Sequence, residues 1–423
     1  TAHTYIYIFR LFISMATLAF VPEYESGTTF SIANKALKLT TKEDIQPHLD
    51  DLLKLKKISK IDLSGNTLGI EASKEIATTI INNESIYKNL KEINFADLYT
   101  SRLVDEVVES LQHLLPALLK CPNLYIVNLS DNAFGLRTID SLESYIANAT
   151  SLEHLILSNN GMGPFAGERI GKALFHLSKN KLNLTPPAPL LNTFICGRNR
   201  LENGSSLYLA IGLKAHADGL KVVKLYQNGI RPRGIMNLIH YGFKYNTQLQ
   251  ILDLQDNTLT KTASLMLAEN LPIWKDVLVE LNLNDCLLKR DGADAIFDIF
   301  TKEKFIKLKA LKVEYNEIVQ STIEEKLITA LNNKNLPELS ILQINGNILD
   351  EDSEALDTLQ GMFDDLEIDD LEEEDSDAED ESDDDDEGED EETFQEVETD
   401  LLEKDLLELE IDTITEGLAK AKI

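Results

Sequence analysis

An α/β solenoid of stacked strand, loop and helix coils is the fold this sequence predicts, on three observations. Nine short apolar strands end in asparagine or cysteine. Between Asn160 and Asn347 they recur at intervals of about 29 residues, long enough for a full helix in every coil. The stretches between them place apolar residues near helical spacing. The strands read LDLSGN (to Asn66), VNLSDN (Asn132), LILSNN (Asn160), ICGRN (Asn199), KLYQN (Asn228), LDLQDN (Asn257), LNLNDC (Cys286), KVEYN (Asn316) and LQINGN (Asn347). A tenth, degenerate copy, INFADL, ends at Leu98. Alternate apolar residues point into a core, and each terminal Asn or Cys can hydrogen-bond the backbone of the turn that follows, so that a polar ladder runs from coil to coil. This is the pattern of a leucine-rich repeat.

Residues 1–29 precede the repeats as an N-terminal extension. The run YIYIFRLFISMATLAFV is apolar, but Arg10 interrupts it and neither side offers the roughly 18 apolar residues in a row that a membrane span requires. Small residues follow this apolar stretch, as in a signal peptide, yet there is no basic leader. Met15 opens MATLAFVPEYES, which reads as a start, so residues 1–14 are expected to lie upstream of the natural protein.

The repeat domain is expected over residues 30–360, beginning with a capping unit near Phe30. After Asn160 the segment FAGERIGKALFHL places Ala166, Ile170, Ala173 and Leu174 on one helical face; after Asn257, Ala263, Leu265, Leu267 and Ala268 follow similar spacing. No coil can bury its strand and helix alone, so neighbours stack into a horseshoe of the ribonuclease-inhibitor kind, parallel strands inside and helices outside.

Charge divides the chain. Residues 350–423 carry 36 acidic residues against three lysines, which accounts for the whole net charge of −33. The solenoid is neutral, which argues against nucleic-acid binding. The acidic tract, 361–400, has too little apolar surface to offset chain entropy and is expected to be disordered. It serves solubility or binds basic partners such as histones or import receptors. The last segment, 401–423, has Leu402, Leu406, Leu407 and Ile411 at helical spacing; a transient helix, a partner-binding helix and an export-type leucine motif are the readings it allows.

Three cysteines without paired spacing fit a reduced compartment. Cys196 occupies a strand leucine slot, Cys286 a ladder slot, and Cys121 a helix end before Pro122. The seven histidines show no metal-ligand spacing, and no glycine-rich phosphate loop appears.

A recognition surface is expected where strands give way to loops. The residue before each ladder position forms a mainly polar column: Gly65, Asp131, Asn159, Arg198, Gln227, Asp256, Asp285, Tyr315 and Gly346. Beside it, LYTSRLVDE carries Tyr99 and Arg102, ICGRNRLENGS carries Arg198 and Arg200, and LYQNGIRPRG carries Arg231 and Arg233. Asn159 stands apart, because the turn and ladder of Asn-Asn-Gly need only Asn160 and Gly161.

The segments FADLYTSRLVDEVVESL, LLKCPNLYIVNLSDNAFG, LILSNNGMGPFAGERIGKALFHL, FICGRNRLENGSSLYLA, VVKLYQNGIRP, LDLQDNT and LNLNDCLL, with the acidic tail, closely resemble the Ran GTPase-activating protein family, in particular its fungal members. The resemblance covers roughly residues 15–423. It implies a cytoplasmic regulator, concentrated at the nuclear envelope or shuttling, that stimulates GTP hydrolysis by Ran and supports nucleocytoplasmic transport. The chain then needs no cofactor of its own, since GTP and Mg²⁺ belong to the GTPase. Ran-GTP is the implied partner, with Ran-binding proteins and import receptors as further ones, and neither nucleic acid nor membrane. By the same resemblance, Asn159 orients the catalytic Gln of Ran without an arginine finger and Arg102 supports or positions. The polar column and the motif beside it supply the expected partner contacts, Tyr99, Asp131, Arg198, Gln227, Asp256 and Asp285. One departure is Val104, where some members carry a basic residue. The competing expectation is a non-catalytic scaffold, inhibitor-like or acidic and histone-binding; the former would be cysteine-rich and the latter has shorter repeats.

Overall fold

Strand pairing follows chain order without a crossover. In the computed structural model, which describes residues 16–363, 366–368, 370–371, 394 and 396–408, eleven parallel strands of three residues pair from Thr29–Ser31 to Ile341–Gln343. The central residues come into register as Val127, Leu155, Phe194, Val223, Leu252, Leu281 and Leu311, and each is fully buried. Their flanking residues face the inner surface of the sheet, as period-two geometry demands.

The ladder reaches backward as well as into its own turn. Asn160 Nδ2 donates to Leu157 O in its own turn (2.9 Å) and to Leu129 O in the preceding coil (3.0 Å), while its Oδ1 accepts from Asn132 N–H (2.9 Å). The same double reach recurs at Asn199, Asn228, Asn316 and Asn347, so the ladder residue joins two coils and does more than close the turn after it. Cys286 keeps the slot with weaker sulfur bonds, its Sγ lying 3.3 Å from Leu254 O. At Leu98 the ladder is half made: its backbone N–H donates to Asn132 Oδ1 (2.7 Å), but its side chain offers the preceding coil nothing polar.

The repeat is not uniform. Asn160 and Asn199 are 39 residues apart, against the expected 29, because the helix Gly163–Leu182 runs for 20 residues and a proline-containing loop follows it. Buried Lys181 ties that loop down by donating to Thr150 O (2.9 Å) and Pro189 O (2.6 Å). On this helix Ala166, Ile170, Ala173 and Leu174 are all buried as expected. On Thr260–Asn270 the expectation fails for Leu265, which is 43% exposed while Ala263, Leu267 and Ala268 are buried; two residues along a helix is about 200° of rotation.

Both ends fold back onto the solenoid. Residues 17–24 cross the inner face of the sheet against the coil order: Lys224 Nζ donates to Thr17 O (3.3 Å), Leu18 packs on Ile156, Ile195 and Tyr226, Phe20 meets His154 edge to face, and Tyr24 Oη donates to Glu92 (2.7 Å). At the other end, Leu366, Ile368 and Leu371 pack on the core, and Asp370 O accepts from Gly346 N–H (2.6 Å). Phe394 then packs its ring, tilted, on those of His240 and Tyr241, and the helix Thr399–Glu408 lies on the outer helices, with Leu406 buried against Phe175 and Ile211 and Glu403 paired to Lys214 (2.8 Å). Leu402 packs there too, whereas Leu407 is exposed. Most of the acidic run, Ile411 and residues 1–14 lie outside the described residues. No described helix is long and apolar enough to cross a membrane.

Candidate functional site

Every residue of the polar column has a left-handed backbone. Asp131 has φ 62°, Asn159 55°, Arg198 57°, Gln227 53°, Asp256 54°, Asp285 53° and Tyr315 53°, with Gly65 and Gly346 at 68° and 66°. The strand must turn sharply before the ladder residue enters the core, and this conformation makes the turn. Asparagine, aspartate and glycine tolerate it; arginine, glutamine and tyrosine do so at a cost of about 1 kcal/mol or more. At Gly346 nothing larger fits, because an added Cβ would lie 2.1 Å from the Tyr315 ring. The fold therefore asks a backbone shape of this column and leaves most of its side chains unspecified.

Asn159 and Asp131 are both exposed, one coil apart, and joined: Asn159 Nδ2 donates to Asp131 Oδ1 at 2.8 Å. Their backbones are fixed by the stacked coils, since Asp131 N–H donates to Ser158 O (2.9 Å) and Asn159 N–H to Gly197 O (2.9 Å). Further along, Gln227 Nε2 donates to Asp256 Oδ2 (2.8 Å), and both are half-buried. Asp285 is exposed, its carboxyl held above the ordinary range by partial burial and by the charge of Asp256. Arg198 is exposed next to Asn159 in the column.

Arg102 sits at the N-terminal end of that column, in a cleft of about 430 Å³ lined by the column's Gly65 and by Lys38, Thr40, Thr67 and Asp97 among others. Its guanidinium is largely buried and spans three coils: Nη2 donates to Thr40 Oγ1 (2.7 Å) and lies 3.5 Å from Thr67 O, while Nη1 is 3.6 Å from Glu106. The helix it precedes, Val104–Leu118, begins with Glu106 accepting from Leu103 N–H (2.9 Å). Val104 is 42% exposed at this edge and supplies no charge.

Tyr99 corrects an expectation. The sequence puts it among the expected partner contacts, but it is 5% exposed, its ring 6.3 Å from that of Phe134, and burial removes it from any recognition surface. The three cysteines are buried and unpaired, and burial pushes each thiol up, Cys121 and Cys196 to about 12. None is therefore a thiolate nucleophile. Among the described residues no cluster of His, Cys, Asp or Glu could hold a metal ion. The contact between Asp131 and Asn159 escaped the sequence reading; the column placed both residues on one surface but gave no sign of which neighbours touch.

Comparison with known proteins decides the family. The chain is 65% identical over 354 residues to Ran GTPase-activating protein 1 of Saccharomyces cerevisiae, spanning 84% of this chain and 86% of that protein. The chain belongs to the Ran GTPase-activating protein family. Ran GTPase-activating protein 2 of Caenorhabditis elegans is 37% identical over 222 residues and the Drosophila melanogaster Ran GTPase-activating protein 33% over 241, covering 52% and 56% of this chain. Of these animal members' own lengths the match spans 22% and 39%. No protein-family model matches. A solved internalin from Listeria monocytogenes is similar with a TM-score of 0.46 and 18% identity, over 83% of each chain.

Proposed function

We propose that this protein stimulates GTP hydrolysis by Ran and does so from the turn edge of its solenoid, with Asn159 as the residue that acts on the chemical step. One observation carries the reading: Asn159 is exposed while Asn160, beside it, does all the ladder's work. A carboxamide in that position can donate or accept without bringing charge to a phosphoryl site already held by Mg²⁺ and lysine. Ran supplies the nucleotide, the metal and the catalytic Gln; this chain supplies orientation, so GTP and Mg²⁺ remain the partner's and no cofactor is needed here. Arg102, with its guanidinium engaged across three coils, acts as a support for the edge and not as a finger into the active site. The exposed or half-buried Arg198, Gln227, Asp256 and Asp285 extend the contact along the column. The physiological reading is a cytoplasmic role in nucleocytoplasmic transport, keeping Ran in its GDP form outside the nucleus.

The test is phosphate release from Ran-GTP with this protein at a hundredth of the Ran concentration. Multiple turnovers of Ran per activator molecule are expected. Binding to Ran-GTP with hydrolysis at the intrinsic rate would instead favour a non-catalytic scaffold.

A further inference from the structure

We infer that Asp131 is a positioning residue for Asn159, fixing which atom of its carboxamide is presented to the partner. The inference rests on the reading of Asn159 given above. A primary amide has two ends of nearly equal size and opposite hydrogen-bonding character, and an exposed one rotates freely between them. Opposite Asp131 it cannot. An ionised carboxylate only accepts, so the NH₂ end must face it, as it does at 2.8 Å. Asn159 Oδ1 is thereby directed away from Asp131, and the acceptor is the end held ready for the partner's Gln.

A hydrogen bond between two exposed side chains is ordinarily weak, and three features make this one directive. Both side chains are short, so little rotamer freedom is lost in pairing them. Both stand on left-handed backbone, at φ 62° and 55°, which sets the direction of each Cα–Cβ bond. Beneath them, the two coils are locked by Asn132 N–H donating to Asn160 Oδ1 (2.9 Å) and by the backbone bond from Asp131 N–H to Ser158 O (2.9 Å). The pair is thus a preorganised unit mounted on rigid scaffold, the arrangement by which a supporting residue holds an acting one within reach of its productive geometry.

The chemical consequence is specific. With Oδ1 outward, Asn159 accepts an N–H from the amide of the partner's Gln. That leaves the carbonyl end of the Gln to accept from the attacking water, the orientation in-line attack requires. Were the Asn159 amide reversed, it would compete with the water for the same carbonyl.

The experiment is a double-mutant cycle in single-turnover hydrolysis of Ran-GTP, measured across activator concentrations so that the maximal rate and the half-saturating concentration separate. Asp131→Ala is expected to lower the maximal rate about tenfold, with a less than about twofold change in half-saturation and an unchanged melting temperature. Asp131→Asn, which can pair with either end of the amide, should fall between Asp131→Ala and wild type. In an Asn159→Ala background both substitutions should change the rate by less than about twofold, because the group they position is gone. Three results overturn the positioning role: an undiminished effect of Asp131→Ala in that background, an effect confined to half-saturation, or a rate loss that tracks a lower melting temperature. If Asn159→Ala alone stimulates hydrolysis by Ran at the wild-type rate, the reading of the site itself falls and the positioning role falls with it.

Discussion

Asn160 is fully buried and bonded to the coils on both sides, whereas Asn159, one residue earlier, is exposed and meets the side chain of Asp131. The two positions repeat together through the whole solenoid. At Asn160's position the side chain is dictated: it donates twice and accepts once inside a dry core, asparagine does this in full, cysteine does it with loss, and where Leu98 holds the slot the ladder is only half made. At Asn159's position the fold dictates only a left-handed backbone, and Gly, Asp, Asn, Arg, Gln and Tyr all appear. Freedom of that kind is what a surface needs in order to acquire a function. That arginine, glutamine and tyrosine occupy a backbone region unkind to them is consistent with selection for what their side chains touch.

Substitution to alanine at each position breaks the comparison most directly. Asn159→Ala should lower the stimulated hydrolysis rate by roughly 10² to 10³, as for loss of one positioned group acting in the transition state, with Ran-GTP binding nearly unchanged. Its melting curve should overlay the wild type; a destabilised variant would show that the exposed Asn serves the fold after all. Asn160→Ala should do the reverse, losing about 2 to 3 kcal/mol in denaturant unfolding with activity retained in the folded fraction. The carbonyls it served, Leu129 O and Leu157 O, keep donors from Asn132 and Asn199, so the main orphan is the buried N–H of Asn132.

The inner face of the sheet sharpens the contrast, because there burial acts on a charge. Asp253 is 3% exposed, and burial raises its pKa to about 6 despite an N–H from Gln255 and the nearby Lys224 and Lys312; Glu280 adds to the rise. A carboxyl whose folded pKa lies above its unfolded value of about 4 holds its proton more tightly in the folded state. Its contribution is therefore fully present below about pH 4 and lost as pH rises through about 6. Unfolding free energy of the wild type relative to Asp253→Asn should fall by about 1 to 3 kcal/mol across that window. A flat difference from pH 4 to 7 would mean the carboxylate is ionised throughout.

Cys286→Ser is expected to have the smallest effect, a loss of about 1 to 2 kcal/mol with full activity in the folded fraction. The thiol already stands in for a ladder amide through long bonds to Leu254 O (3.3 Å) and Asn284 O (3.5 Å), and a shorter hydroxyl reaches both less well. A large rate loss at constant stability would make Cys286 something other than a ladder member.

By itself the sequence determined whatever repeats or accumulates locally. The ladder asparagines, the strand leucines, the helix face of Ala166, Ile170, Ala173 and Leu174, and the confinement of all net charge to residues 350–423 are readable because each is a property of spacing or of composition. The column that includes Asn159 was legible for the same reason. Only the tertiary structure decided which residues of different coils touch. Asp131 and Asn159 are 28 residues apart and meet because two coils stack in register; Tyr99 lies beside an exposed edge yet turns into the core; Thr17 reaches Lys224 across five strands of the sheet, and Leu406 finds Phe175 and Ile211 on the outer helices. The contact between Asp131 and Asn159 follows the repeat but needs the stacking register to bring it about, whereas the others carry no period and depend on a few side chains each. Periodicity reports how a residue faces its own coil, and contact between coils depends on the stacking that brings them together.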